Sequence, residues 1–225
     1  MRVIRSAGRD VLTPQAAAAI GATARVGGVI LFPTETLYGL GVDPCSEAGL
    51  EALFRLKGRD PGKPLPVLLA DPSLIGRYAA AIPRRWRVLM QRFWPGPLTL
   101  LFPALPGLPQ GICSASGKVA LRVPGSALCR AVLRAAGGNL TGTSANAAGD
   151  GGTGDPAIAL RDLGVGIDLF VDAGTLPPSP ASTLLDMDEL GHVITLRAGA
   201  IPETDLRRAS RRGGVDPRPL RGQVR

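Results

Sequence analysis

An α/β fold with a twisted, mixed β-sheet flanked by helices is predicted by two features of the sequence. Through the middle of the chain, short apolar runs alternate with stretches of helical periodicity. The last three strand-like runs then follow one another with no helix between them. Alternation implies parallel strands joined by crossover helices, whereas consecutive strands bring antiparallel pairs, so the sheet should contain both. Size agrees: 225 residues, 45% hydrophobic and 20% charged, suffice for one sizeable core.

The elements can be justified in order. "GGVILFPTETLYGLG" (27–41) opens as a buried apolar strand and becomes a polar loop at Pro33. "SEAGLEALFRLKG" (46–58) predicts a helix. Ser46 can cap it, Leu50, Leu53, Phe54 and Leu56 fall near one face, and Gly58 can end it. "PLPVLLA" (64–70) reads as a strand, and Asp71-Pro72 places proline at the first position of a following helix. A helix is expected over 83–93, then strands at 97–104 and 118–124. "SALCRAVLRAAG" (126–137) is a helix between Ser126 and Gly137, and "NLTGTSAN" (139–146) a strand running into a polar loop. A helix at 155–164 precedes strands at 169–173, 182–187 and 192–197. Apolar periodicity stops after Pro202. The expected organisation is one folded domain over 1–204 and a basic, disordered tail over 205–225.

The net charge of +8 resembles a nucleic-acid signal, yet seven arginines and two aspartates in 205–225 contribute +5 of it. The body is only mildly basic. Cys45, Cys113 and Cys129 form no CxxC pair, which argues against a disulfide framework or a zinc site and for a cytoplasmic location. Residues 93–117 carry no charge, but five prolines forbid a single spanning helix, so no membrane association is expected. No apolar run of signal-peptide length precedes Asp10.

Several catalytic devices are excluded. "GRDPGKP" has three residues between its glycines and proline after the lysine, so it is not a Walker A loop. No GxGxxG or GxSxG occurs, and the single histidine, His192, has no HExxH partner. Candidate anion-binding segments remain. The chain has 23 arginines and only three lysines, yet Lys57 and Lys63 lie six positions apart with Arg59 between them. Such a cluster suits a polyphosphate, with lysines as point charges, arginine as a planar fork and glycines allowing close backbone approach. Alternatively, Lys57 complements the helix dipole and the others are solvated. On charge alone the two readings are evenly matched, and the scarcity of lysine favours the first. "TGTSAN" offers Thr141, Thr143, Ser144 and Asn146 for neutral hydrogen bonds to phosphate or carboxylate oxygens, and "PTET" offers Glu35 and Thr36 as caps or ligand contacts. Arg122 and Arg197 fall in strands, where an inward arginine needs an anion from protein or ligand.

Together, "FPTETLYGLG", "KGR" with "GKPLPVLL", "FWPGPLTLLF", "LRVP", "TSAN", "STLLD" and "LRAG" resemble the YrdC family in order and spacing over roughly residues 10–202. The resemblance implies a short, single-domain YrdC-like fold and L-threonylcarbamoyladenylate synthase activity. L-threonine and bicarbonate or CO2 would give an N-carboxylated threonine. Its attack on the α-phosphate of ATP would release pyrophosphate and leave threonylcarbamoyl-AMP, the precursor of the t6A37 modification of tRNAs reading ANN codons. By resemblance, Lys57, Arg59, Lys63, Ser144, Asn146 and Arg197 would bind ATP, with Lys57, Arg59, Ser144 and Asn146 as the catalytic set. Thr36, Arg122 and Ser182 would bind L-threonine. Mg2+ would accompany ATP, with no protein metal site. Partners would be downstream t6A-transfer proteins, with weak tRNA or double-stranded RNA contact as an accessory property. Departures from the family pattern are Asn139 where proline is common, Ala148 where serine is frequent, and "GGTG" at 151–154. Two alternatives are a carbamoyl-adenylating carbamoyltransferase-type domain and a non-catalytic RNA-binding module. The low aromatic content disfavours base stacking.

Overall fold

The computed structural model describes residues 1–6, 10–146 and 152–212. The strands are β1 (Arg2–Arg5), β2 (Ile30–Pro33), β3 (Tyr38–Gly41), β4 (Val67–Leu69), β5 (Leu98–Pro103) and β6 (Lys118–Arg122), then β7 (Asn139–Thr141), β8 (Thr143–Ser144), β9 (Leu169–Asp172), β10 (Thr183–Met187) and β11 (Val193–Arg197). The helices are α1 (Pro14–Arg25), α2 (Glu47–Lys57), α3 (Arg84–Phe93), α4 (Ala127–Ala135), α5 (Pro156–Leu163) and α6 (Glu203–Arg212).

The expected mixture of parallel and antiparallel pairs is present, divided between two sheets instead of one. The first runs β1-β9-β2-β3-β8 and the second β11-β10-β5-β6-β4-β7. In the first, β2 pairs parallel with β9 and antiparallel with β3; in the second, β5 pairs parallel with β10 and antiparallel with β6. The chain passes from β7 in one sheet to β8 in the other at Gly142, whose N–H donates to Pro66 O at 2.8 Å. β3 meets that crossing at close range. A Cβ on Gly41 would lie 2.2 Å from Thr141 O, so only glycine fits. Thr141 Oγ1 accepts from Val42 N at 3.0 Å, and Thr141 N donates to Val42 O, so the two sheets are tied there.

Burial explains the apolar strands. Ile30 and Phe32 of β2 face a cluster with Ala19, Ile20 and Ala24 of α1 and Cys129, Val132 and Leu133 of α4. Leu31, between them, faces the larger core with Leu53, Trp86, Leu100 and Phe102. A strand covered on both faces reads as a continuous apolar run rather than an alternation. The helix signals act as expected: Ser46 Oγ accepts from Gly49 N, Ser126 Oγ from Cys129 N, and Gly58 ends α2 at φ 57°.

Four features differ from expectation. β1 and α1 escaped the sequence reading; Thr13 caps α1, with Pro14 at its first turn. The polar loop after Pro33 is short, and the chain returns as β3, with Pro33 opposite Tyr38. Residues Pro72–Arg77 form a 3-10 helix capped by Asp71. The boundary at 204 is also corrected, because α6 begins at Glu203 and buries Leu206 and Ala209 in the main core. Its apolar face is only two residues wide amid arginines, which hid the periodicity. The rest of the expected tail, 213–225, lies outside the described residues, as does Ala148. Among the described residues, no helix is long and apolar enough to cross a membrane.

Candidate active site

The crossing of the chain between sheets leaves a cavity of about 320 Å3. Arg59 reaches it from the loop after α2, Arg122 from the end of β6 and Arg197 from the end of β11. Hydroxyls surround them: Thr34 and Thr36 from the β2–β3 turn, Thr143 and Ser144 from β8, and Ser182 just before β10. Leu37, Tyr38, Pro66 and Leu68 supply apolar wall. Among the described residues, no carboxylate lines it.

The lining side chains are held by one another and by backbone carbonyls around the cavity. Arg122, 6% exposed, pairs with Glu35 at 2.7 Å, donates from Nε to Gly96 O at 3.3 Å and approaches Thr36 Oγ1 at 3.5 Å. Burial pushes the Glu35 carboxyl up. The Arg122 charge and hydrogen bonds from Gly125 and Arg122 outweigh that and hold it below its ordinary value. Thr34 Oγ1 lies 3.0 Å from Thr36 Oγ1, donates to Leu37 O at 2.7 Å and accepts from Thr36 N, which fixes the turn. Arg197 donates to Ser182 O at 3.1 Å and to Ser182 Oγ at 2.9 Å, and Ser182 Oγ also meets Thr99 Oγ1 at 2.9 Å. Arg59 donates to Lys63 O at 2.9 Å and Pro64 O at 3.3 Å.

The electrostatics of the cavity favour negative charge. Burial lowers the Arg197 pKa, and the charges of Arg122 and Arg59 push it the same way. Burial also lowers that of Arg59. Three guanidiniums that are partly stripped of water and repel one another are stabilised by any anion that enters between them.

Of the residues singled out from the sequence, the structure brings Thr36, Arg59, Arg122, Ser144, Ser182 and Arg197 to this one cavity. Lys57, Lys63 and Asn146 are placed otherwise. Lys57 is 5% exposed, and its Nζ donates to Ser144 O at 2.5 Å and Asn146 O at 2.8 Å. Burial, then the charge of Arg59, lowers its pKa to about 8. Lys63 is exposed on the loop, its N–H donating to Asp60 O. Asn146 is 4% exposed, behind Ser144. Sequence reasoning missed Thr34 and the ion-pairing role of Glu35. It also missed the Tyr38 hydroxyl, which donates to Gly174 O at 2.8 Å and accepts from Ala173 N at 2.9 Å. A hydroxyl or carboxylate in "PTET" was the available signal, but pairing across 87 residues was not readable. A larger cavity of about 540 Å3 lies between α3 and α6, with Val88 and Phe93 on its wall and no comparable cluster of hydroxyls.

Residues 22–199 match the Sua5/YciO/YrdC family, described as "Telomere recombination", and the chain belongs to that family. It is similar to threonylcarbamoyl-AMP synthase of Thiobacillus denitrificans, 43% identical over 113 residues covering 48% of this chain and 60% of the relative. It is also similar to threonylcarbamoyl-AMP synthase of Pyrococcus abyssi, 30% identical over 182 residues, or 81% of this chain and 53% of the relative. The chain thus spans between half and two thirds of the length of these curated relatives. Among solved structures, P. abyssi Sua5 complexed with L-threonine superposes with a TM-score of 0.86 at 27% identity, covering 93% of this chain and 61% of that one.

Proposed function

We propose that this chain is a threonylcarbamoyl-AMP synthase whose catalytic body contains the cavity between the two sheets. The observation that carries the reading is the convergence of Arg59, Arg122 and Arg197 with five hydroxyls on a space that no described carboxylate lines. Two anionic substrates must meet there, and the work required is positioning and charge stabilisation rather than covalent catalysis. The similarity to synthases, and the likeness to a relative complexed with L-threonine, support the choice of substrates.

Arg122 would take the threonine carboxylate while Glu35 holds its far side, with Thr36 and Ser182 hydroxyls beside it. The threonine amine, carboxylated by bicarbonate or CO2, would present its new carboxylate to the α-phosphorus of ATP. A P–O bond forms, the bond to the β,γ-diphosphate breaks, and pyrophosphate leaves. Arg59 and Arg197 would neutralise charge on the polyphosphate, with Ser144 at its side and Asn146 supporting that wall. Mg2+ would enter as the counter-ion of the triphosphate substrate. Lys63, exposed in this structure, would reach ATP phosphates only from the loop rim. The product would pass to proteins that transfer the threonylcarbamoyl group to adenosine 37 of tRNA, with RNA contact accessory to catalysis.

The test is pyrophosphate release from ATP, Mg2+, L-threonine and bicarbonate, with the adenylate identified by mass. Release that needs both threonine and bicarbonate is expected. Release only with carbamoyl phosphate would assign the chain to carbamoyl adenylation. No release with any donor would overturn an enzymatic role.

A further inference from the structure

In a chain with 23 arginines, a buried lysine at the end of α2 needs a reason that arginine cannot meet. We propose that Lys57 is a positioning residue: its ammonium clips the Ser144 and Asn146 carbonyls to the end of α2 and so holds residues 143–146 as one wall of the cavity. This rests on the nucleotide-binding reading above and reassigns Lys57 within it, from a phosphate ligand to the support of the residues beside the nucleotide.

Four observations carry it. First, Nζ has three N–H donors, and two are spent on backbone carbonyls 87 and 89 residues away in sequence. Second, the side chain is 5% exposed and absent from the cavity lining, whereas Arg59, two residues on, lines it. Third, the clip ties this segment to α2, an element that its strand pairing does not reach. β8 pairs with β3 through Gly39↔Ser144 and Leu40↔Thr143 alone, and Ala145 N donates to Tyr38 O at 2.9 Å. Fourth, the two carbonyls belong to residues i and i+2 of one bend and converge on one point. A compact, tetrahedral ammonium can serve both; a guanidinium, a wide planar fork, cannot occupy that point.

Bonds from a charged donor are roughly twice as strong as neutral ones, so the clip is a substantial tie for a two-residue strand. It also sets the helix against the crossing point of the sheets. Because Gly58 turns the chain at φ 57° immediately after Lys57, Arg59 is directed separately, to the cavity. The two cations of the Lys-x-Arg element thereby divide the labour: one builds the wall, the other meets the anion.

The experiment compares wild type, Lys57→Gln, Lys57→Arg and Arg59→Gln in two measurements. In the first, dissociation constants are taken for adenosine, AMP and Mg-ATP. The expected result is that Lys57→Gln weakens all three by a similar factor, roughly tenfold, while the Arg59→Gln loss grows with the number of phosphates. Lys57→Arg keeps the charge and is expected to restore neither affinity nor order. In the second, amide hydrogen exchange of the 139–146 peptide is followed in ligand-free protein. Exchange should rise in both Lys57 variants and stay at the wild-type level in Arg59→Gln. A Lys57→Gln loss that grows with phosphate number, full rescue by Lys57→Arg, or unchanged exchange in 139–146 would each overturn the proposal. Failure of wild type to bind any nucleotide would instead overturn the nucleotide reading, and the exchange comparison would still decide the role of Lys57.

Discussion

At the scale of single residues, the cavity pairs charges from behind and leaves their forward faces available. Arg122 illustrates the principle. Glu35 accepts one edge of its guanidinium at 2.7 Å, which offsets the cost of burying the charge while leaving donors for a second carboxylate. Lys57 makes the opposite choice and spends its donors on the backbone, and its titration gives a testable pH dependence. Its pKa in the folded protein is depressed to about 8, so it loses its proton as pH rises through 8, whereas the unfolded chain keeps it to about 10.5. Between those values the unfolded state binds more protons, so this titration favours the folded state as pH rises. Nucleotide affinity should therefore fall from pH 7 to 9.5 as the charge-assisted clip weakens, with no loss of stability attributable to Lys57. Parallel titration calorimetry and chemical denaturation across that range would check both halves. If affinity is flat while unfolding shifts, the charge on Lys57 is not what supports the wall.

At the scale of elements, backbone proximity rather than side-chain chemistry decides what the site tolerates. The turn after β11 lies directly on the segment leading into β10. A Cβ on Gly199 would stand 2.2 Å from Ala181 O and 2.6 Å from the Ser182 carbonyl carbon. Ser182 in turn receives both hydrogen bonds of Arg197, and Thr183 Oγ1 joins this region to Ile201 in both directions. Gly199→Ala must push the two segments apart, at a cost of about 1–3 kcal/mol for overpacking. The expected outcome is a raised KM for both substrates, since Ser182, which would contact threonine, and Arg197, which would contact the polyphosphate, shift together while Arg59 and β8 stay. Steady-state kinetics with each substrate varied would show it; unchanged KM values would mean that Ser182 and Arg197 keep their places.

At the scale of the molecule, two sheets share one core and meet at the β7–β8 crossing, so the cavity depends on both sheets keeping register. α6 belongs to the main core. It packs on α3 and buries Leu206 and Ala209, yet among the described residues lining the cavity none comes from α6. A chain ending at Pro202 should therefore lose stability, by about 2–4 kcal/mol for one buried leucine and its neighbours, while retaining threonine-dependent pyrophosphate release at low temperature. Thermal melts beside the assay would test this. Loss of turnover in a truncated protein that is still folded would give the removed segment a part in catalysis.

The sequence by itself determined most of the elements and the residue types that converge on the cavity. Ser46, Ser126 and Gly58 mark helix ends through local hydrogen bonds and a local φ, and the apolar runs of β2, β4 and β9 announce burial on both faces. Motif order carried the family and six of the residues that line the cavity. Tertiary structure alone decided the rest. The split into two sheets turns on which strand edges meet, and strand periodicity is the same for any neighbour. α6 was hidden because two buried side chains suffice to dock a helix that is otherwise charged. Lys57 stands beside Arg59 in the sequence, and only the fold brings Ser144 and Asn146, nearly ninety residues away, to place their carbonyls around its ammonium. Where a charge finds its partner depends on distances that only the folded chain sets.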